Sequence, residues 1–165
     1  MNASNNPLGI EGQAAPEFGV DRWVDANGEP TDAITLANMP GKLKLIYSFQ
    51  SWCPGCHSRG FPTLKKLVDA LGDHSDVISF AVIQSVFEGF ETNTFEAMLE
   101  TQKKYALGIP FGHDDGGGQG SVYMKRYRCG GTPWFVLIGS DGHVSFNDFQ
   151  LNPDGLIDVI QSGTV

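Results

Sequence analysis

Residues 42–57 read KLKLIYSFQSWCPGCH and join a dense apolar run to a Cys-x-x-Cys-His motif. The run at 42–50 has the length and composition of a β-strand that is buried on both faces. The motif that follows is compatible with three chemistries: c-type haem attachment, half of a zinc site, or a dithiol/disulfide redox centre. The rest of the chain decides between them.

Composition and charge argue against several classes of protein. A chain of 165 residues predicts one domain with a sizeable core. Its formal net charge of −8 argues against a nucleic-acid or anionic-membrane partner, because both bind clustered Lys and Arg. No apolar run approaches the roughly 20 residues of a membrane span. Three cysteines do not make a disulfide framework, and two close together in a non-secreted chain indicate redox or metal chemistry.

The N-terminal stretch MNASNNPLGIEGQAAP is polar and lacks the basic and apolar regions of a signal peptide. We therefore expect a cytoplasmic protein from the sequence as written, or a periplasmic or otherwise extracytoplasmic one if a signal has been trimmed. Residues 1–14 are predicted to be a flexible tail and residues 15–165 a single domain.

The pattern along the chain alternates strands with helices. Residues 18–30 predict a strand and a turn, and 42–50 predict a strand. A helix is predicted next, because apolar residues recur at helical spacing: Phe61, Leu64, Leu67, Val68 and Leu71. Pro62 should kink this helix. Residues 76–86 predict a second buried strand and 93–107 a second helix, for which Asn93 followed by Glu96 suggests the cap.

The last third predicts a short strand, a short helix near 120–127, a strand hairpin from 133 to 151 and a closing helix capped by Asn152. The alternation implies parallel strands that are covered on both faces, and the hairpin adds antiparallel strands. The predicted fold class is therefore α/β, with a central mixed β-sheet flanked by helices.

The position of the cysteine pair suggests a reactive thiol. With Pro54 at the first helical position, Cys53 becomes the N-cap, and its sulfur faces the N–H groups of Gly55 and Cys56 and the positive end of the helix dipole. These interactions favour the thiolate and should lower the pKa of Cys53. Cys56, one turn further on, is shielded, and Trp52 should shelter one side of the nucleophile.

Three stretches carry a resemblance to a known family: APEFGV (15–20), ITLANMPGKLKLIYSFQSWCPGC (34–56) and YRCGGTPWFVLIGSDGHV (127–144). From about Ala15 to its C-terminus, the chain resembles the TlpA/ResA-type thiol-disulfide oxidoreductases of the thioredoxin-like superfamily, within the wider redoxin or AhpC/TSA group. The resemblance implies a thioredoxin-like fold with an N-terminal β extension and a central insertion.

The resemblance also implies roles for individual residues. Cys53 would be the attacking thiol, Cys56 the resolving thiol and Pro133 a cis-proline opposite the disulfide. The residues expected to contact substrate are Trp52, Pro54, Gly55, Thr132 and Pro133. No bound cofactor and no metal is expected. The implied partners are disulfide-bearing protein substrates and an electron-donating reductase or thiol protein, and we expect a monomer.

Three positions depart from the family pattern. The dipeptide between the cysteines is Pro-Gly, where relatives often place the proline second, so the direction of electron flow stays open. Tyr47 stands where thioredoxins have a buried Asp, and Arg59 where TlpA/ResA-type proteins often have Glu. The sequence therefore names no carboxylate to accept the proton of Cys56. His57 titrates near neutrality, and its ring either takes part or points to solvent.

The other chemistries fit the sequence less well. A c-type cytochrome would be mostly helical and needs an axial partner, and zinc needs about four ligands, whereas no second Cys pair exists. A thiol peroxidase, the first alternative, needs Pro and Thr or Ser where this chain has Ile46 and Gln50. A non-catalytic binding module, the second, conflicts with the intact dithiol. We predict a thiol-disulfide oxidoreductase that exchanges Cys53–Cys56 with protein substrates, and a buried, apolar role for Cys129.

Overall fold

The structure is a computed structural model that describes residues 8–163, and these residues contain one seven-stranded sheet. The strands are β1 (Arg22–Val24), β2 (Pro30–Thr31), β3 (Leu43–Phe49), β4 (Ile78–Ser85), β5 (Phe111–Asp114), β6 (Trp134–Ile138) and β7 (Val144–Asp148). Their spatial order is β2-β1-β5-β4-β3-β6-β7. β3, β4 and β5 run parallel, and the other neighbouring pairs are antiparallel, so the predicted mixed sheet is confirmed.

The two apolar runs form the centre of this sheet. The strand predicted over 42–50 is β3 and the strand predicted over 76–86 is β4, and nearly every residue of both is buried. β3 lies between β4 and β6. The segment that leaves the end of β3 is therefore flanked by the loop after β4 on one side and by the loop before β6 on the other.

Helices cover both faces of the sheet, as predicted. They are α1 (Phe61–Leu71), α2 (Phe95–Tyr105), α3 (Val122–Tyr127) and α4 (Pro153–Gln161). α1, α2 and α4 contribute Leu64, Met98 and Ile160 to the cluster on one face. α3 packs on the other face, where Tyr123 and Tyr127 stack with each other at 4.5 Å between ring centroids. Neither these helices nor any other helix within residues 8–163 is both long and apolar enough to cross a membrane.

Two local predictions differ from the structure. The irregularity expected at Pro62 is instead a π-helical turn (Cys56–Gly60) just before it, and Pro62 sits in the first turn of α1, where its missing N–H breaks no helical bond. The prediction that Asn93 caps α2 was wrong, because Thr94 caps this helix by accepting a hydrogen bond from the Ala97 N–H at 3.1 Å. Asn93 is buried and has other partners.

The N-terminal segment runs beside β7. Gly12 N–H donates to the Val144 carbonyl at 2.8 Å, and Ala14 forms a bridge with His143. Residues 12–14 of the predicted tail thus pair with the backbone at that edge of the sheet. Residues 1–7 and 164–165 lie outside the described residues. The division of the chain into a tail and a domain at residue 15 stays a prediction.

Candidate active site

The cysteine pair lies where the chain passes from β3 into a helix. Cys53 and Cys56 are joined as a disulfide. The Cys56 N–H donates to Cys53 Sγ at 3.2 Å, and the His57 N–H approaches the Cys53 carbonyl at 3.4 Å. Helical hydrogen bonding begins at residue 54, so Cys53 occupies the N-cap position that the sequence predicted. Its sulfur therefore receives an N–H from the positive end of the helix.

The two sulfur-bearing residues differ in accessibility. Cys53 is 9% exposed and Cys56 is completely buried, while Trp52 beside them is 48% exposed. Pro54 is also exposed and Gly55 partly so. An incoming disulfide can therefore approach Cys53 past Trp52 and Pro54, but it cannot approach Cys56.

The loop before β6 closes over the other side of the pair. The Thr132–Pro133 peptide bond is cis, as the resemblance implied. The Thr132 carbonyl oxygen lies 3.6 Å from Cys53 Sγ, and a Cβ atom placed on Gly55 would lie 3.6 Å from Pro133 Cδ. The structure thus brings Thr132 and Pro133 to the cysteine pair from about 80 residues away in the chain.

Tyr47 lies beneath the dithiol, at the place where thioredoxins have a buried Asp. Its hydroxyl donates to the Cys56 carbonyl at 2.9 Å. The Phe61 N–H reaches the same carbonyl, a span of five residues that defines the π turn. Burial raises the pKa of Tyr47 well above its ordinary value, so the phenol stays neutral and keeps its proton to donate.

Gly60 makes room for this phenol. A Cβ atom on Gly60 would overlap the Tyr47 hydroxyl and would lie 2.7 Å from Tyr47 Cζ. Nothing in the sequence analysis predicted this pairing. A glycine inside a helical pattern next to a buried aromatic strand is the signal from which a close approach of this kind can be suspected.

His57 does not point to solvent. Its Nε2 lies 2.6 Å from the Ser51 carbonyl, and its Nδ1 lies 2.6 Å from the Tyr105 hydroxyl. Because a carbonyl oxygen only accepts, Nε2 carries a proton. The ring also stacks on Phe61. His57 therefore ties the residue two places before Cys53 to α2, and neither ring nitrogen is left over for a bond to Cys56.

Comparison with solved structures places this arrangement among known proteins. Over 91% of this chain and 95% of the other, the fold superposes on a thioredoxin-like superfamily protein, SPOA0173, with a TM-score of 0.75 and 28% identity. The chain has a thioredoxin-like fold. A thiol-disulfide isomerase from Corynebacterium glutamicum is similar over 90% of this chain and 95% of its own, with a TM-score of 0.68 and 25% identity.

StoA from Bacillus subtilis shares the thioredoxin-like fold at 21% identity, with a TM-score of 0.59 over 86% of this chain and 96% of its own. No protein-family model matches the sequence, and no curated protein does. The thioredoxin-like resemblance suggested by the sequence is therefore confirmed by structural similarity, in the presence of a Cys53–Cys56 pair.

Buried amide side chains hold the loop that precedes Cys53 in this thioredoxin-like site. Gln84 Oε1 accepts from the Ser51 N–H at 3.0 Å and also bonds the Ser51 hydroxyl. Its Nε2 donates to the Thr94 carbonyl at 2.9 Å and lies 3.0 Å from His113 Nδ1. Burial lowers the pKa of His113, which favours the neutral ring whose Nδ1 accepts this bond.

Asn93 fixes the next residue of the same loop. Its Oδ1 accepts from the Trp52 N–H at 3.0 Å, and its Nδ2 donates to the carbonyls of Glu88 and Gly89 at 3.1 and 3.2 Å. The sequence analysis missed Gln84 and Asn93 as site residues. A polar residue near the end of an otherwise apolar strand was the available signal for Gln84.

The geometry bears on the alternative chemistries as well. Cys53 and Cys56 are bonded to each other, and His57 would have to break two hydrogen bonds to ligate haem iron. Within residues 8–163, no three His, Cys, Asp or Glu side chains meet as a metal site would require. Gln50, at a position where a peroxidase has a peroxide-binding hydroxyl, uses its Oε1 to accept from the Phe87 and Glu88 N–H groups.

Cys129 is apart from this centre. It is free, partly buried and packed against the apolar cluster on the α3 face, in keeping with the predicted apolar role. Burial raises the pKa of its thiol far above the ordinary value. Because the thiolate is the reactive form, Cys129 should be a poor nucleophile in the folded protein.

We expect iodoacetamide at neutral pH to modify Cys53 of the reduced folded protein first, and Cys129 at least about tenfold more slowly than in the unfolded chain. Peptide mass spectrometry after timed quenching measures both rates, with the same reaction in 8 M urea (about the concentration that unfolds most small domains) as the control. Equal labelling of Cys129 in the folded and unfolded chain would contradict the assignment.

Proposed function

We propose that the chain is a thiol-disulfide oxidoreductase in which Cys53 exchanges electrons with the disulfides of protein substrates. The observation that carries the proposal is the N-cap geometry: the sulfur of Cys53, a residue that is 9% exposed, receives the Cys56 N–H at a helix start, beside the Thr132 carbonyl. The similarity to thioredoxin-like proteins, one of them a thiol-disulfide isomerase at 25% identity, supports it.

The reaction begins with the reduced protein. The Cys53 thiolate attacks one sulfur of a substrate disulfide, which forms a mixed disulfide and releases the other substrate sulfur as a thiolate. Cys56 then gives up its proton and attacks Cys53 Sγ as the thiolate. This step forms the Cys53–Cys56 disulfide and releases the second substrate thiolate. Two electrons pass to the substrate, and both released thiolates take up protons from water.

The groups around Cys53 suit these steps. The helix N-terminus favours the negative sulfur that attacks first and leaves second. Because Cys56 is buried, the sulfur that it can reach is Cys53 Sγ of the mixed disulfide. The resolving step is therefore intramolecular and fast. His57 and Tyr47 hold the two ends of the turn that carries both cysteines, through the Ser51 and Cys56 carbonyls.

We further propose that an extended substrate segment lies across Trp52, Pro54 and Gly55 on one side and Thr132 and Pro133 on the other. Electrons would return to the oxidised protein from a reductase or another thiol protein of higher reducing power. A monomeric state stays a prediction from the sequence, and so does the location, which is cytoplasmic for the sequence as written or extracytoplasmic if a signal has been trimmed.

The test is the reduction of insulin by dithiothreitol, followed by turbidity, with and without the protein. Catalysis is expected because insulin disulfides are accessible and the protein offers a pre-activated thiol. The same protein with Cys53 alkylated serves as control. A turbidity onset equal to that without protein would contradict the proposal, and rapid consumption of hydrogen peroxide in its place would favour the peroxidase alternative.

A further inference from the structure

Arg59 is a cation beside the dithiol. Within residues 8–163, its guanidinium makes no hydrogen bond and no ion pair. It lies close to the dipeptide between the cysteines, since a Cβ atom placed on Gly55 would be 3.6 Å from Arg59 Nη2 and 3.6 Å from Pro133 Cδ. An arginine beside the dipeptide between the cysteines, whose donors meet no other residue in the described part of the chain, is available to a ligand.

A cavity of about 220 Å³ adjoins this guanidinium on the Pro133 side. Thr63 and Gln150 add polar side chains to its lining, and Phe149 and Leu151 add apolar ones. Arg59 alone is charged among the described residues that line it. The cavity has room for one side chain of moderate length that ends in a polar group, and its chemistry is that of a carboxylate site with an apolar wall.

The other flank of the dithiol has the opposite charge. Glu88 and Glu91 are exposed on the loop after β4, which packs against Trp52 through Gly89. Because β3 lies between β4 and β6, this acidic loop and the Arg59–Pro133 cavity flank the cysteines on opposite sides. An acidic group on the substrate is therefore attracted on one side and repelled on the other.

We infer that Arg59 and the cavity beside Pro133 form a subsite for a carboxylate that the disulfide substrate carries next to the attacked sulfur. The inference rests on the proposed function, since it concerns the substrate of that reaction. The guanidinium binds the carboxylate through its paired N–H donors, and the apolar wall receives the methylene groups behind it. Arg59 thus selects among disulfides and takes no part in the exchange of sulfur.

The test compares cystine peptides that differ in one residue beside the attacked cysteine. Reduced protein is mixed with peptides carrying Glu, Gln or Lys either before or after that cysteine, and the second-order rate of reduction is measured for each. At one of the two positions, wild type should reduce the Glu peptide roughly threefold faster than the Gln peptide, as for a solvent-accessible ion pair. Added salt should shrink this ratio.

Three variants separate a local contact from a change in net charge. Arg59→Gln should bring the Glu/Gln ratio to one, and Arg59→Lys should keep part of it, because the charge remains without the paired donors. Lys65→Gln is the matched control: Lys65 is an exposed α1 cation whose partner is Asp69, and its loss should leave the ratio unchanged. A general effect on Cys53 reactivity would scale every peptide equally and leave the ratio intact.

A further comparison of reduction rates identifies the source of the carboxylate. Glutathione disulfide is compared with its fully esterified form, whose carboxylates are neutral. A preference that depends on Arg59 only with glutathione disulfide assigns the subsite to glutathione, and one found only with peptides assigns it to protein substrates. The inference would be overturned if wild type showed a ratio of one at both peptide positions and also reduced glutathione disulfide and its ester at equal rates, or if Arg59→Gln left the observed preference unchanged. Failure to reduce any disulfide would instead overturn the proposed function.

Discussion

Cys53→Ser is expected to reduce the rate of catalysed insulin reduction by roughly a hundredfold or more, to the uncatalysed background, because a serine hydroxyl forms no mixed disulfide. Cys56→Ser should behave differently. It keeps the N-cap thiol, since the Cys56 N–H that contacts Cys53 Sγ belongs to the backbone and survives the substitution. The first attack therefore proceeds, and the reaction stops at a mixed disulfide.

The trapped mixed disulfide is measured by non-reducing electrophoresis and by mass spectrometry after Cys56→Ser has been incubated with disulfide-intact insulin or a cystine peptide. The modified residue must be Cys53, because position 56 carries no thiol in this variant and burial raises the pKa of Cys129, which keeps that thiol protonated. Cys129→Ser is the matched control and should retain wild-type turnover. A mixed disulfide through Cys129, or full turnover by Cys56→Ser, would contradict the division of roles.

The sequence allowed the dithiol and its setting to be predicted because the causes are local. The apolar run fixes β3, Pro54 starts the helix, and the spacing places Cys53 at its cap. The downstream Thr132-Pro133 pair was found through the family resemblance, since nothing local indicates that this loop returns to Cys53 Sγ at 3.6 Å.

The supporting contacts were beyond prediction for a physical reason. Gln84 and Asn93 bond Ser51 and Trp52 from 33 and 41 residues away, and no periodicity in a sequence reports which buried amide meets which N–H group. The Asn93 cap was mispredicted for the same reason. Its side chain satisfies the Trp52 N–H and two loop carbonyls, which leaves the cap to Thr94.

Gly60→Ala is expected to lower the free energy of unfolding of the oxidised protein by about 2–3 kcal/mol, as overpacking in a rigid core does. The backbone is not the cause. Gly60 has φ −65° and ψ −56°, which alanine adopts readily, and an exposed helical site would gain about 1 kcal/mol from the change. The loss comes from the Tyr47 phenol, whose hydroxyl occupies the place of the new methyl group.

Gly55→Ala is the matched control, because it lies in the same helical segment with φ −66° and its Cβ would meet its nearest neighbours at an ordinary 3.6 Å. Its free energy of unfolding should stay within about 1 kcal/mol of wild type. Urea denaturation with the disulfide intact measures both variants. Equal stability of Gly60→Ala and Gly55→Ala would show that Tyr47 does not fill the space above Gly60.

A double-mutant cycle then tests whether the phenol and the glycine act as one unit. Tyr47→Phe alone should cost about 1 kcal/mol, since the Cys56 carbonyl loses its side-chain donor but keeps the Phe61 N–H. In the Tyr47→Phe/Gly60→Ala double variant, the oxygen overlap is gone and only ring carbons at 2.7 and 2.8 Å remain to be displaced. The combined loss should therefore fall short of the sum of the single losses by about 1 kcal/mol or more, whereas independent sites would add.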